Sequence, residues 1–313
     1  MREVVRNAAA RLDGAGCPTP RLDAELLLAY ALDVGRDVLY REPERQLSVE
    51  EQRAYAALIA RREAREPVAY IVGRRAFRTI ELVVGPGALV PRPETETLVE
   101  RGLRELERLD AAVDRELGLG RPPPAVAGPW TRRCDAVPSA SWMPRALDLC
   151  TGTGCVALAL ATEHPGVRVT AVDSDDRALA FARENARRLG LTERVDVVAG
   201  DLYEGPGTSA RFELILANPP YLSDAEISVV EREVRVHEPR RALVAGPTGL
   251  EVCERLVSGA RSRLTPGGLL AVEIHERRPD GVRSLFTAAG FVDVEVVDDL
   301  GGAPRVVSGR APV

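Results

Sequence analysis

Four consecutive residues, Asn218-Pro219-Pro220-Tyr221, bring together types that could do chemistry. Two successive prolines remove two backbone donors and fix φ, so the local carbonyls cannot be claimed by a helix. What remains is a rigid corner rich in acceptors: the Asn218 side-chain oxygen and the carbonyl that follows it, with the aromatic face of Tyr221 alongside. Such a corner suits a planar –NH2 group, which has two N–H donors to satisfy. The same residues also fit a plain exit from strand to loop, and a bare Asn-Pro-Pro would be read that way. The aromatic residue, and the glycine-rich loop Thr151-Gly152-Thr153-Gly154 upstream, favour a site.

A corner of this kind needs a strand that delivers it. Phe212 to Ala217 is a short apolar run between turn signals, as expected of a buried parallel strand, and open α/β sheets place ligands just past such carboxyl ends. Upstream, Ala146 to Cys150 predicts a strand, the glycine loop a turn, and Val156, Leu158 and Leu160 a helix. This succession presents backbone N–H groups and close backbone approach to a ligand. The next predicted strand, Arg168 to Asp173, ends in an acid roughly 20 residues past the glycines, where a ribose hydroxyl pair is usually held. A helix with Leu179 and Phe181 follows, then a strand over Arg194 to Ala199 and a further acid in Gly200-Asp201-Leu202. A nicotinamide-type loop expects a glycine where Ala157 stands. Each of Asp148, Asp173 and Asp201 taken singly reads as a helix cap. Taken together and in order, they describe a pocket for a nucleoside with a cationic or zwitterionic tail, which favours S-adenosylmethionine.

The rest of the chain supplies scaffolding. Residues 1–75 read as short helices: Thr19-Pro20 opens one with Leu22, Leu26, Leu27 and Tyr30 on one face, and Ser48-Val-Glu-Glu51 is a capping box opening another, with Tyr55, Leu58 and Ile59 as its stripe. From residue 76 to 91 the period changes to that of a β-hairpin, broken at Gly85-Pro86-Gly87. Pro91-Arg-Pro-Glu-Thr-Glu96 leads into a helix with Leu98, Val99, Leu103 and Leu106 inward, and proline with acids there also simply suits a helix dipole. Residues 118–144, with six prolines and both tryptophans (Trp130 and Trp142), read as an irregular insertion. Ser223-Asp-Ala-Glu226 is a second capping box. Thr248 to Leu264 predicts a helix ended by Pro266-Gly-Gly268, Leu269 to Ile274 a strand, 280–289 a helix, and two final strands an antiparallel edge hairpin. His275 reads as a strand-end packing residue.

Composition narrows the function classes. The 313 residues are 45% hydrophobic and 28% charged, ordinary for a globular protein, with a net charge of −5 that disfavours a general phosphate-backbone binder. All 42 basic residues are arginine, so a Schiff-base or P-loop lysine is excluded. Five cysteines without a C-x-x-C pair and three histidines without ligand spacing predict a reducing, cytoplasmic protein with no structural metal. No signal peptide and no membrane-spanning stretch is evident.

Glu66-Pro-Val-Ala-Tyr-Ile-Val-Gly73, Pro91-Arg-Pro-Glu-Thr-Glu96, Leu147-Asp-Leu-Cys-Thr-Gly-Thr-Gly154 and Asn218-Pro-Pro-Tyr221 together resemble the HemK/PrmC family. These are protein-(glutamine-N5) methyltransferases that act on peptide chain release factors. The resemblance runs from about residue 19 to 310 in the family's order of motifs; the Asn-Pro-Pro-Tyr corner alone is shared with amino-methyltransferases acting on nucleic-acid bases. It implies a seven-stranded class I, Rossmann-like α/β methyltransferase domain over 92–313, a helical bundle over 1–75 that grips the release factor, and a hairpin linker over 76–91. It implies transfer of a methyl group from S-adenosylmethionine to the glutamine of a GGQ motif. The cofactor falls to Cys150, Thr151, Gly152, Thr153, Gly154, Asp173, Asp201, Leu202 and Asn218. Asn218, Pro219, Pro220 and Tyr221 hold the glutamine, with Arg92 to Glu96 bordering the site and Arg92 and Glu94 reaching the substrate. A monomer with no direct nucleic-acid or membrane contact is expected. His275 stands where the family often has glycine, and Arg278 near a usual glutamine. Base methylation, or cofactor binding without catalysis, are the alternatives.

Overall fold

The computed structural model describes residues 1–116 and 143–313; apart from its last two residues, the predicted insertion with Trp130 and Trp142 lies outside them. The described chain divides into two compact units. One comprises Met1–Arg75, Val84–Pro86 and Val230–Glu238, the other Ala76–Val83, Gly87–Val229 and Pro239–Val313.

The first unit holds helices α1 (Arg2–Gly14), α2 (Pro20–Ala31), α3 (Arg36–Arg41), α4 (Val49–Glu63) and α5 (Val68–Val72). Its core gathers Leu12, Leu27, Leu28, Leu39, Tyr55 and Ile59. The capping box at Ser48 forms with both reciprocal bonds, satisfying two otherwise orphaned donors at the start of α4. On α2 the buried face runs through Ala24, Leu27 and Leu28, whereas Leu22, Leu26 and Tyr30 are exposed. The i, i+4, i+8 stripe predicted as one inner face is therefore split. The packing of α1 and α4 selects the neighbouring row instead. Helix α9 (Arg232–His237) also belongs here, although it lies far along the sequence. Its Glu233 accepts from Arg62 at 2.8 Å and pairs with Arg65, while Arg62 also donates to Asp23 at 2.7 Å, a cluster that is almost wholly buried.

Strands β1 (Arg74–Phe77) and β2 (Ile80–Val83) form a two-stranded sheet. It turns at Arg78-Thr79, not at the predicted glycines 85–87. Arg78 adopts a left-handed φ of 49°. Its guanidinium anchors on both oxygens of Glu163, each at 2.7 Å, which holds a turn that local propensity would not choose.

The second unit is built on a seven-stranded sheet. After α6 (Glu96–Glu116) come β3 (Arg145–Leu149), α7 (Cys155–Glu163), β4 (Arg168–Asp173), α8 (Asp176–Arg188), β5 (Val195–Ala199) and β6 (Phe212–Ala217). A short pair follows, β7 (Leu222–Ser223) with β8 (Val244–Gly246), then α10 (Glu251–Ala260), β9 (Leu264–Glu273), α11 (Pro279–Ala288), β10 (Val292–Asp298) and β11 (Pro304–Arg310). The order is β10-β11-β9-β6-β3-β4-β5, with β11 antiparallel to both its neighbours and the other pairings parallel. This is the seven-stranded Rossmann-like sheet that the resemblance implies. Helix α10 is shorter than predicted, and Pro266-Gly267-Gly268 lies inside β9, at a register shift against β6 where a proline is tolerated.

Helix α6 lays Leu98, Val99, Leu103 and Leu106 on the sheet as the sequence predicts, each buried residue contributing roughly 1.5–3 kcal/mol. Gly102 permits the close approach: a Cβ there would lie 2.9 Å from Leu216. Successive turns from β3 and β6 leave in opposite directions, so the carboxyl ends of these two neighbours form the switch point at which such sheets bind ligands.

Candidate active site

Strand register assembles the site. Leu149 lies opposite Ala217 and Val172, and Ala217 lies opposite Val272. The next residue of each strand therefore stands in one row along the sheet edge: Asp173, Cys150, Asn218 and Glu273. Parallel strands have no other way to bring residues this distant in sequence side by side.

The glycine loop closes on this row. Gly152 N–H donates to Asp173 Oδ2 at 2.8 Å, and Asp175 N–H donates to Oδ1 at 2.9 Å, so the Asp173 carboxylate is oriented by backbone and keeps one lone pair on each oxygen. Burial raises its pKa above the usual carboxylate value, opposed by those two N–H groups. Asp148 sits behind the loop and does not line the cleft. It accepts from Thr151 Oγ at 2.5 Å and from Ala157 N–H at 3.1 Å, which makes it the internal brace of the turn. Burial pushes its carboxyl up to about 7, the Thr151 and Ala157 bonds resist, and the charge of Asp173 adds to the rise. Cys150 and Leu202 both hold left-handed φ values, 60° and 53°, without being glycine. Strained backbone of this kind persists where surrounding structure over-determines it, and here both residues line the cleft.

A cleft opens along this row. Its walls include Cys150, Thr151, Gly152, Thr153, Asp173, Asp201, Leu202, Asn218, Pro220 and Arg92. Of the other residues singled out from sequence, Gly154, Pro219, Tyr221 and Glu94 lie off its wall. Gly154 (φ 83°) is there for packing, since a Cβ would meet Leu158 at 2.9 Å. Tyr221 turns its ring edge to His275, centroids 5.9 Å apart, and burial raises its phenol pKa far above neutral. The Tyr221 carbonyl accepts from Arg278 at 3.3 Å, and Arg278 also pairs with Glu226 at 2.6 Å, so the two departures at His275 and Arg278 both buttress the corner. Glu94 is exposed, yet its charge reaches Tyr221 and Glu273. Asp201 is half exposed and ion-paired with Arg255 at 2.7 Å.

Thr95, within the Arg92 to Glu96 segment expected to border the site, stands on the wall; sequence reasoning missed Arg241 and Arg255 there, and Glu273 beside it. Arg241 pairs with Asp175, the cap of α8, and Arg255 with Asp201. Thr95 accepts from Asn218 Nδ2 at 3.1 Å. The one available signal was composition: Glu273 is a carboxylate that closes the apolar run Leu269 to Val272 at the end of β9.

The chain's first residues, 3–73, match the model of the PrmC N-terminal domain, and residues 137–249 that of the methyltransferase small domain. The release factor glutamine methyltransferase of Koribacter versatilis (strain Ellin345) is 35% identical over 312 residues, covering 100% of this chain and 99% of its own. This chain belongs to the release factor glutamine methyltransferase family. The family member of Geobacter sulfurreducens is 36% identical, covering 99% of this chain and 96% of its own, and that of Streptomyces coelicolor is 37% identical over 86% and 82%. As a family member it has its glycine loop and Asn-Pro-Pro-Tyr corner on adjacent strand ends, within one cleft of the second unit.

Proposed function

We propose that this enzyme transfers a methyl group from S-adenosylmethionine to the side-chain nitrogen of the GGQ glutamine in a peptide chain release factor. The observation that carries the reading is the state of Asn218. Its Nδ2 is engaged by Thr95, while its Oδ1 has no hydrogen-bond partner among the described residues, at a cleft wall one strand from the glycine loop.

The cleft suits the cofactor on its own evidence. A Cβ on Gly152 (φ 58°) would meet nothing within 4 Å, so the loop leaves open space there. Thr153 Oγ is buried without a partner on the cleft wall, a polar atom for which a ligand would supply the missing bond. Asp173 would take the ribose hydroxyls through its two remaining lone pairs, and Cys150, Thr151, Gly152, Thr153, Asp201, Leu202 and Asn218 would surround the remainder. Gly154 would serve by shaping the loop. When bound, S-adenosylmethionine supplies an electrophilic methyl group.

The protein's task is to make a weak nucleophile react. An amide nitrogen shares its lone pair with the carbonyl and has little basicity. Asn218 Oδ1 and the Pro219 carbonyl would accept the two N–H bonds of the glutamine, aim the nitrogen, and stabilise the positive charge that develops on it. Tyr221 and Pro220 support the corner's shape, with Arg92 and Glu94 at its border. Alignment of two bound reactants supplies several kcal/mol, up to about 7–11 in the best cases. The methylated nitrogen is acidic and loses its proton late to water, so no dedicated general base is needed. We assign the helical first unit to gripping the release factor.

Mass spectrometry of the glutamine-containing release-factor tryptic peptide, after incubation with enzyme and S-adenosylmethionine, tests the reading. A gain of one methyl on that glutamine is expected. An unmodified peptide, with methyl appearing on nucleic-acid bases, would overturn it.

A further inference from the structure

Resting on that reading, we infer that Thr95 and Glu273 are positioning residues that decide which way the Asn218 amide faces. The two ends of an asparagine side chain are nearly identical in shape, but only the oxygen end can accept from a glutamine –NH2. Turned over, the amide would point donors at donors. Something must break this symmetry.

Thr95 alone cannot. A hydroxyl has one proton and two lone pairs, so it would accept from Nδ2 or donate to Oδ1 equally well. Glu273 supplies the direction. It is 1% exposed at the end of β9, one strand from Asn218, and it hydrogen-bonds the Thr95 side chain. An ionised carboxylate only accepts, so it takes the single Thr95 proton. Only lone pairs then face Asn218, and Nδ2 must turn towards them, as observed at 3.1 Å. The order Glu273–Thr95–Asn218 thereby commits Oδ1 to the cleft. Thr95 is held for this by the 3-10 turn Pro93–Thr95, its N–H donating to the Arg92 carbonyl at 3.2 Å.

A purely structural residue at position 273 would be better apolar. The carboxylate is buried, and its Oε2 has no hydrogen-bond partner among the described residues, an arrangement that costs free energy. Such a cost is tolerated where a charge is needed for direction. Burial pushes the Glu273 carboxyl up to about 7, against the Thr95 bond and the Arg305 charge on β11, with Glu94 raising and Arg92 lowering it further. Tyr221 and Cys155 also face it. Once protonated, Glu273 can donate to Thr95, whose own proton is then free to meet Oδ1 and turn the amide round. Ionisation is the competent state, so the methyl-transfer rate falls as pH drops through that range.

The test is single-turnover methylation of intact release factor by the full-length enzyme at saturating S-adenosylmethionine, across pH. Thr95→Val should lower the methyl-transfer rate about tenfold to a hundredfold with KM and cofactor Kd nearly unchanged, the scale of loss from misplacing a reacting group. Thr95→Ser should restore most of it. Glu273→Gln should lower the rate and flatten its acid limb, because no carboxyl remains to titrate. Wild-type rates and pH profile in both T95V and E273Q would overturn the inference while leaving the methyltransferase reading intact. So would a loss in T95V that T95S does not repair. Failure of the wild-type enzyme to methylate release factor overturns both.

Discussion

Replacing Asn218 with alanine removes one acceptor from the proposed amide clamp, and the structure bounds what else is lost. Among the described residues the side chain makes one hydrogen bond, to Thr95 at 3.1 Å, and Thr95 keeps Glu273 as a partner after the change. No buried group is orphaned, so stability should fall by only about 1 kcal/mol. The preceding residue, Ala217, keeps its pairing with Leu149 and Val272, so β6 and the cleft should stand. Loss of one preorganised hydrogen-bonding group then predicts a fall in methyl transfer on the order of 10²–10³-fold. Cofactor affinity should change far less. Asn218→Asp is the sharper variant. It retains acceptors for the substrate but replaces the Nδ2 donor with an oxygen, so Thr95, with one proton, faces two carboxyl groups. One of them must hold a proton for the geometry to survive, and N218D should therefore regain activity as pH falls, opposite to the wild-type trend. Single-turnover kinetics at saturating release factor, with calorimetry for the cofactor, would measure all of this. Near-normal methyl transfer by N218A would mean that the corner is only a turn.

Asp173→Ala should weaken S-adenosylmethionine binding by roughly 1.5–3 kcal/mol, the usual worth of hydrogen bonds to a charged group, and calorimetry showing unchanged affinity would remove Asp173 from the site. Asp148 is braced inside the protein with a carboxyl raised to about 7, so its folded form holds a proton that the unfolded chain releases near pH 4. Its contribution is fully present below the unfolded value and is lost as pH rises towards 7, by up to about 4 kcal/mol. Denaturant titrations should therefore show the Asp148→Asn variant losing less stability than wild type between those pH values. In the helical unit, Glu233→Ala would strip Arg65 of its carboxylate partner, leaving it the Ala15 and Gly16 carbonyls, and would leave Arg62 with Asp23 and the Glu66 carbonyl; a loss of roughly 3 kcal/mol is expected for a broken buried pair. A melting temperature unchanged by E233A would show that α9 contributes nothing to holding the bundle together.

Much was legible from residue order alone. Apolar runs ending in turn signals located β3, β4, β5 and β6, most plainly the interior strands β3 and β6, which are buried on both faces and admit few polar residues. The glycine loop, the acid at Asp173 and the Asn-Pro-Pro-Tyr corner are local chemistry, and local chemistry is written contiguously. Their order along the chain pointed to the family, which full-length identity to its members bears out. Tertiary structure decided what depends on partners far apart in sequence. The exposed Leu22, Leu26 and Tyr30 had the right period but the wrong side, since neighbouring helices choose which row of α2 is covered. The hairpin turns at Arg78 because Glu163, some 85 residues on, holds its guanidinium. Helix α9 joins the first unit through a buried ion cluster that no local pattern announces. Thr95 and Glu273, 178 positions apart by subtraction of their numbers, meet at Asn218 only because β9 lies beside β6 and the turn before α6 delivers a hydroxyl to that strand end. Spacing reveals which groups a chain carries, but the direction of a hydrogen bond depends on what stands behind it, and packing alone put a carboxylate there.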